Sequence, residues 1–250
     1  MLTYLLEYFS GDVDTVSLLT MVCVMAFVTI CCLPVHECAH AWMADKLGDP
    51  TGRLKGRINL SPMAHLSLPG TLMLLIFGFG YAKPVPVNIR NFKKRKLYFG
   101  ITALAGPVSN LILAVIFLAV SFTVTVISII NGTGSGDVTT EMGQAGGVLE
   151  IASSFFANVA YYNIALAVFN LIPFPPLDGS RILTMVLPDS LYYKLMSYER
   201  YFFYALFALM FLFNRVFDFS PLSYITSALY TGIGNVLSVI FTWILGLLGI

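Results

Sequence analysis

Residues 98–131 run for 34 positions without an Asp, Glu, Lys or Arg. A helix of that length rises about 50 Å, whereas the hydrocarbon core of a bilayer is about 30 Å thick. Similar apolar runs cover about 15–44, 147–172, 201–219 and 222–249, and a shorter one covers about 66–82. Only 11% of the 250 residues are charged and 58% are hydrophobic, against roughly a quarter charged in a soluble domain. That leaves too little polar surface to cover a globule in water. The expected fold class is an α-helical integral membrane protein, a polytopic bundle of about five to six transmembrane helices. No run shows the alternation of lipid-facing barrel strands.

Charge position orients the bundle. The first basic residue is Lys46, and Arg53, Lys55 and Arg57 follow it. Lys83, Arg90, Lys93, Lys94, Arg95 and Lys96 precede the second long run, and Arg181, Lys194 and Arg200 follow the third. By the positive-inside rule these clusters are cytoplasmic. The link 132–146 carries Asp137 and Glu141 but no Lys or Arg, as an external loop should, and it is too short to fold alone. Positive clusters flank 66–82 on both sides, so this stretch is expected to be re-entrant rather than spanning. Pro69 and the glycines at 70, 78 and 80 agree with irregular backbone at membrane depth. Residues 53–60 and 83–87 read as short extended pieces of a cytoplasmic β-hairpin, the second confined to an edge by its prolines.

With a net charge of +1 and no basic stripe interleaved with aromatics, the chain offers no nucleic-acid surface. Cys23, Cys31, Cys32 and Cys38 share one apolar run and read as small apolar fillers. The amino terminus lacks the basic n-region of a signal peptide, so none is expected.

Residues 36–40 read His-Glu-Cys-Ala-His. On a helix, positions i and i+4 lie one turn apart on one face, so both imidazoles can reach one metal ion, and the adjacent Glu37 can deprotonate a metal-bound water. Lys46 follows His40 by six residues, about 9 Å of helix, which puts the pair just below the membrane surface. Ionisable groups there are expensive and point to function.

A catalytic zinc site takes three protein ligands plus water. Asp178 is the candidate third ligand, in Asn170-Leu171-Ile172-Pro173-Phe174-Pro175-Pro176-Leu177-Asp178-Gly179. Three prolines in four positions end the preceding helix and unwind the chain. An aspartate after such a break is equally well placed to ligate a metal or to cap the next helix.

His36-Glu37-x-x-His40 in a membrane helix, followed by Asn-x-x-Pro-x-Pro-Pro-Leu-Asp-Gly, resembles the site-2 protease family of intramembrane zinc metalloproteases. Gly56-Arg57 through Pro62, with Ser61 where the family carries asparagine, Lys83-Pro84-Val85-Pro86-Val87 and Ala105-Gly106-Pro107-x-x-Asn110 extend the resemblance over about 30–185. The chain departs from it at Ser67-Leu68, where relatives often have Asp-Pro, and at Gly179-Ser180, where many have Gly-Gly.

The resemblance implies one Zn2+ per chain held by His36, His40 and Asp178, with Glu37 as catalytic base and Asn110 and Asn170 assisting. Asn110 also fits plain helix–helix glue, and His65 is assigned a structural, gating or substrate role rather than a metal-binding one. The chain reads as one membrane-embedded protease domain over 1–250, with a catalytic core at about 15–188, further membrane helices at 189–250, and no PDZ or regulatory module. Its expected partners are a transmembrane protein or peptide substrate and the lipid bilayer, with no organic cofactor. The expected location is the plasma membrane of a prokaryote, active site toward the cytoplasm. A non-proteolytic scaffold that binds transmembrane helices has no use for Glu37. A metal transporter would string ionisable groups through the membrane, and a histidine-box oxidase needs more than three histidines.

Overall fold

The computed structural model describes residues 7–77, 82–131, 147–199, 201–202, 204–205 and 221–248. Four of its helices are long and apolar enough to cross a membrane: Thr15–Lys46, Arg95–Ile130, Val148–Leu171 and Leu222–Leu247. The expected run at 201–219 lies for the most part outside the described residues, as does the link 132–146.

Helix α1, Thr15–Lys46, starts on Asp14, whose carboxylate accepts from the Val16 and Ser17 amides. It is not uniform. Val28–Cys32 form a π-turn, closed by the Leu33 N–H on the Val28 carbonyl. Pro34 explains it: the ring has no N–H to donate and crowds the carbonyl four residues back. The wider turn takes up one extra residue and re-aims everything beyond it by roughly 100°. His36, Glu37 and His40 follow directly.

Short helices α2 (Thr51–Leu54), α3 (Pro62–His65) and α4 (Leu68–Phe77) come next. Helix α5, Arg95–Ile130, is the longest, and α6 (Val148–Leu171) packs along it. Two more short helices, α7 (Asp178–Ile182) and α8 (Asp189–Ser197), precede the last, α9 (Pro221–Leu248). The α5–α6 seam is built on Ala114, Leu118, Ala160, Ile164 and Val168, with Leu222, Tyr230, Ile233 and Leu237 of α9 against it. Small residues there let the backbones approach, which matters where lipid supplies no hydrophobic drive. Ser121, Thr125 and Ser153 add buried hydrogen bonds, with Ser153 Oγ 3.0 Å from Ser121 Oγ and 2.7 Å from Thr125 Oγ1. Val24, Val28 and Cys32 of α1 pack on Val159 of α6. All four cysteines are free.

The expected β-hairpin does not form. Residues 51–54 are helical, and the described residues of this region hold one isolated antiparallel bridge, Leu66 to Ala82. The reason lies in Asp49. Its carboxylate accepts from the Thr51 amide and hydroxyl and so starts a turn at Pro50, which Gly56 ends at φ +66°. The same carboxylate reaches across to the Asn88 amide (2.7 Å) and the Asn91 side chain (2.7 Å). Burial alone would raise the Asp49 carboxyl; these hydrogen bonds, led by the Thr51 hydroxyl, outweigh it and hold it below the ordinary carboxylate range. Arg57 replaces the missing ladder by donating to the carbonyls of Ala64, Lys83 and Pro84. Helix α4, at ten residues, rises about 15 Å, half of a hydrocarbon core.

Candidate metal centre

Three stretches of chain meet at one point: the end of α1, the start of α5 and the first residue of α7. His36 and His40, one turn apart, are both buried, and their Nε2 atoms lie 3.0 Å from each other. Asp178 Oδ2 lies 3.3 Å from the first and 3.2 Å from the second. A tetrahedral zinc with bonds of 2.0–2.1 Å holds its ligand atoms about 3.3–3.4 Å apart. The triangle is therefore sized for that ion.

The protonation pattern agrees. His40 Nδ1 lies 2.8 Å from the Thr102 carbonyl, which can only accept, so Nδ1 carries a proton and the neutral ring has its lone pair on Nε2. Asn110, fully buried on α5, places its side-chain amide 3.1 Å from His36 Nδ1. A half-turn about Cβ–Cγ exchanges that amide's nitrogen for its oxygen, so it can accept the Nδ1 proton in the same way. Asp178 Oδ2 is buried without a hydrogen-bond donor. Lone pairs converging at this range repel unless a cation lies between them, and two imidazoles with a carboxylate suit zinc.

The local sequence explains the approach. A Cβ on Gly106 would overlap both imidazoles, so α5 can close on α1 only with glycine there. A Cβ on Gly179 would strike the Leu171 and Ile172 carbonyls, so glycine also lets α7 fold back under α6. Asp178 is not a cap: the N-cap position of α7 belongs to Leu177, and the Asp178 side chain faces the histidines.

Beside the triangle lies a cavity of about 470 Å3, lined by Glu37, Thr71, Val85, Tyr162, Asn170 and Arg181 among others. Glu37 is half-buried and has no hydrogen-bond or ion-pair partner among the described residues. Asn170 lines the cavity and bonds its amide to the Leu166 carbonyl. His65 is not in the cluster. It is fully buried, with Nε2 2.8 Å from the Asn59 carbonyl and its own carbonyl taken by the Lys83 amide. Sequence alone assigns no role at the site to Gly106, Thr102 or Arg181. A glycine beside a proline inside an apolar helix, and a cation one turn after the aspartate, were the available signals.

Membrane-length helices carrying an HExxH pair, with a carboxylate brought to it from a distant loop, define a membrane-embedded metallopeptidase. Residues 24–213 match Peptidase family M50, the site-2 protease family, and the chain belongs to it. It is thus a metallopeptidase, a hydrolase, and a multi-pass membrane protein. Among its relatives, YwhC of Bacillus subtilis (strain 168), assigned by name to the zinc metalloproteases, is 39% identical over 169 residues, covering 67% of this chain and 70% of that one. No solved structure matches the chain.

Proposed function

We propose that this chain is a zinc endopeptidase that cuts transmembrane segments of membrane proteins, as in regulated intramembrane proteolysis. The observation that carries the reading is the triangle of His36, His40 and Asp178, sized for zinc, beside an uncommitted Glu37 at the wall of an apolar cavity. These three residues hold one ion. When bound, zinc supplies Lewis acidity toward water and the scissile carbonyl. Glu37 takes the proton from the attacking water and passes it to the leaving amine. Thr102 and Asn110 fix the two imidazoles so that their Nε2 lone pairs face inward.

A helical substrate buries its peptide bonds in backbone hydrogen bonds and must unwind before it is cut. Beyond Lys83, whose amide is taken by the His65 carbonyl, residues 84–87 have no ladder partner among the described residues, and Val85 and Val87 line the cavity and keep the N–H groups that Pro84 and Pro86 lack. In an extended run these alternate residues face one edge, on which an unwound peptide pairs through its backbone. Helix α4 enters the bilayer as a re-entrant element at the same wall. The basic clusters set the site toward the cytoplasm of a prokaryotic cell, in its plasma membrane. The chain works as one catalytic domain, with α8 and α9 completing the bundle.

The test is cleavage of model transmembrane peptides by purified protein in detergent, wild type beside Glu37→Gln, with zinc measured on both. Zinc in both and cleavage by the wild type alone is the expected outcome, with a loss of about 10²–10⁴-fold in the variant. Zinc in both and cleavage by neither would leave a scaffold that binds transmembrane helices.

A further inference from the structure

The cavity beside the metal centre holds a charge the mechanism does not use. Arg181 is the only lysine or arginine among the described residues that line it. It follows Asp178 by three positions on α7, so the guanidinium and the ligand carboxylate leave the helix on the same side. The guanidinium carbon lies 5.6 Å from the centre of the Phe99 ring, and Phe99 is buried. This cation–π contact engages the guanidinium without using any of its N–H donors. Among the described residues no carboxylate lies within ion-pair distance of Arg181, and none of its side-chain N–H groups donates a hydrogen bond. Asp178 is committed to the histidines. Glu37 and Glu199 share the cavity with Arg181 but do not meet it.

A partly buried cation in a mostly apolar chamber is costly unless something pairs with it. Among the described residues, the lining places no carbonyl or carboxylate within reach to do so. The molecule that enters the chamber is a peptide, and the groups on a peptide that pair bidentately with guanidinium are carboxylates.

We propose that Arg181 forms a subsite for an acidic side chain of the substrate, so that the enzyme favours segments carrying Asp or Glu beside the scissile bond. This rests on the protease reading above and adds to it the chemistry by which one segment is chosen over another. Phe99 is a positioning residue in this subsite: its buried ring holds the guanidinium by a cation–π contact.

The experiment uses the full-length zinc-loaded protein in detergent with synthetic Ala/Leu peptides of about 25 residues, long enough to span. Mass spectrometry first locates the bond cut. Glu, Gln or Lys is then placed at each of four positions on either side, and kcat/KM is measured for wild type, Arg181→Gln, Arg181→Lys and Arg181→Glu. In the wild type, Glu is expected to exceed Gln by about tenfold or more at one position, through KM, as a charge-assisted hydrogen bond requires. Arg181→Gln brings the Glu/Gln ratio near one whatever its absolute rate. Arg181→Lys keeps part of the preference, and Arg181→Glu turns it toward Lys. An equal Glu/Gln ratio in wild type and Arg181→Gln, or a kcat loss that is the same for every peptide, overturns the subsite and leaves the protease standing. Failure of the zinc-loaded wild type to cut any peptide overturns the protease and the subsite together.

Discussion

Replacing Gly106 with alanine sets two effects against each other. A Cβ there would sit 2.5 Å from His40 Cε1 and 2.6 Å from His36 Cε1, and closer still to His40 Nε2. Carbon atoms rest at about 3.5–4.0 Å, so the imidazoles or α5 must give way by about 1 Å. Overpacking of this kind costs about 1–3 kcal/mol, while alanine gains about 1 kcal/mol over glycine inside a helix. Global stability should therefore change by no more than about 2 kcal/mol. The site has no such compensation. A shift of about 1 Å costs on the order of 10²-fold in rate, and disturbing the groups that hold metal ligands costs about 10–100-fold in affinity. Zinc affinity, measured by competition with a chromophoric chelator, should fall by about 10–100-fold while the unfolding midpoint stays near wild type. Gly232→Ala is the control, since nothing lies within 4 Å of a Cβ there, and it should leave zinc binding unchanged. A Gly106→Ala protein that binds zinc as tightly as wild type would refute the close approach of α5 to the two histidines.

Asp49→Asn removes the charge and one of the two oxygens, so either Asn88 or the Thr51 and Asn91 donors lose their acceptor; it should cost about 1–3 kcal/mol, read as a lower Tm and faster amide exchange over 83–92. The Asp49 carboxyl is depressed in the folded chain, so its contribution is complete above the unfolded value of about 3.9 and is lost as pH falls through the folded value. The Tm gap between wild type and Asp49→Asn should hold at neutral pH and narrow as pH falls below about 4, and a gap independent of pH would count against the assignment. Ser153→Ala removes the hydroxyl that ties α6 to Ser121 and Thr125 of α5 and should cost about 0.6–2 kcal/mol in detergent unfolding titrations with zinc content unchanged.

The four spanning helices were legible because long apolar runs have no other stable outcome in lipid. Their observed bounds fall within about three residues of those expected from the sequence. The pairing of His36 with His40 was legible too, since helical spacing alone puts positions 36 and 40 on one face. Asp178 was not fixed by its neighbours: a proline break followed by Asp-Gly suits a cap as well as a ligand, and only the fold back beneath α6 separates the two. Residues 53–60 misled because the extended reading took no account of the side chain of Asp49, which turns the backbone two residues later. The π-turn at Val28–Cys32 was in principle readable from Pro34, whose missing N–H has to be absorbed somewhere upstream.

The ligands also carry a statement about biogenesis. Between His40 and Asp178 lie about 140 residues, including the whole of α5 and α6. At about 5–20 residues per second, a ribosome takes some 7–28 seconds to traverse that interval. For all of that time the nascent chain has two imidazoles and no carboxylate to complete their triangle. Gly106 and Thr102, which shape the opposite side, come only with α5. A chain stalled or misinserted before its second half therefore carries the recognisable protease sequence and no protease. If His36, His40 and Asp178 hold the metal as proposed, their separation in sequence delays a complete site until α5 and α6 have been made.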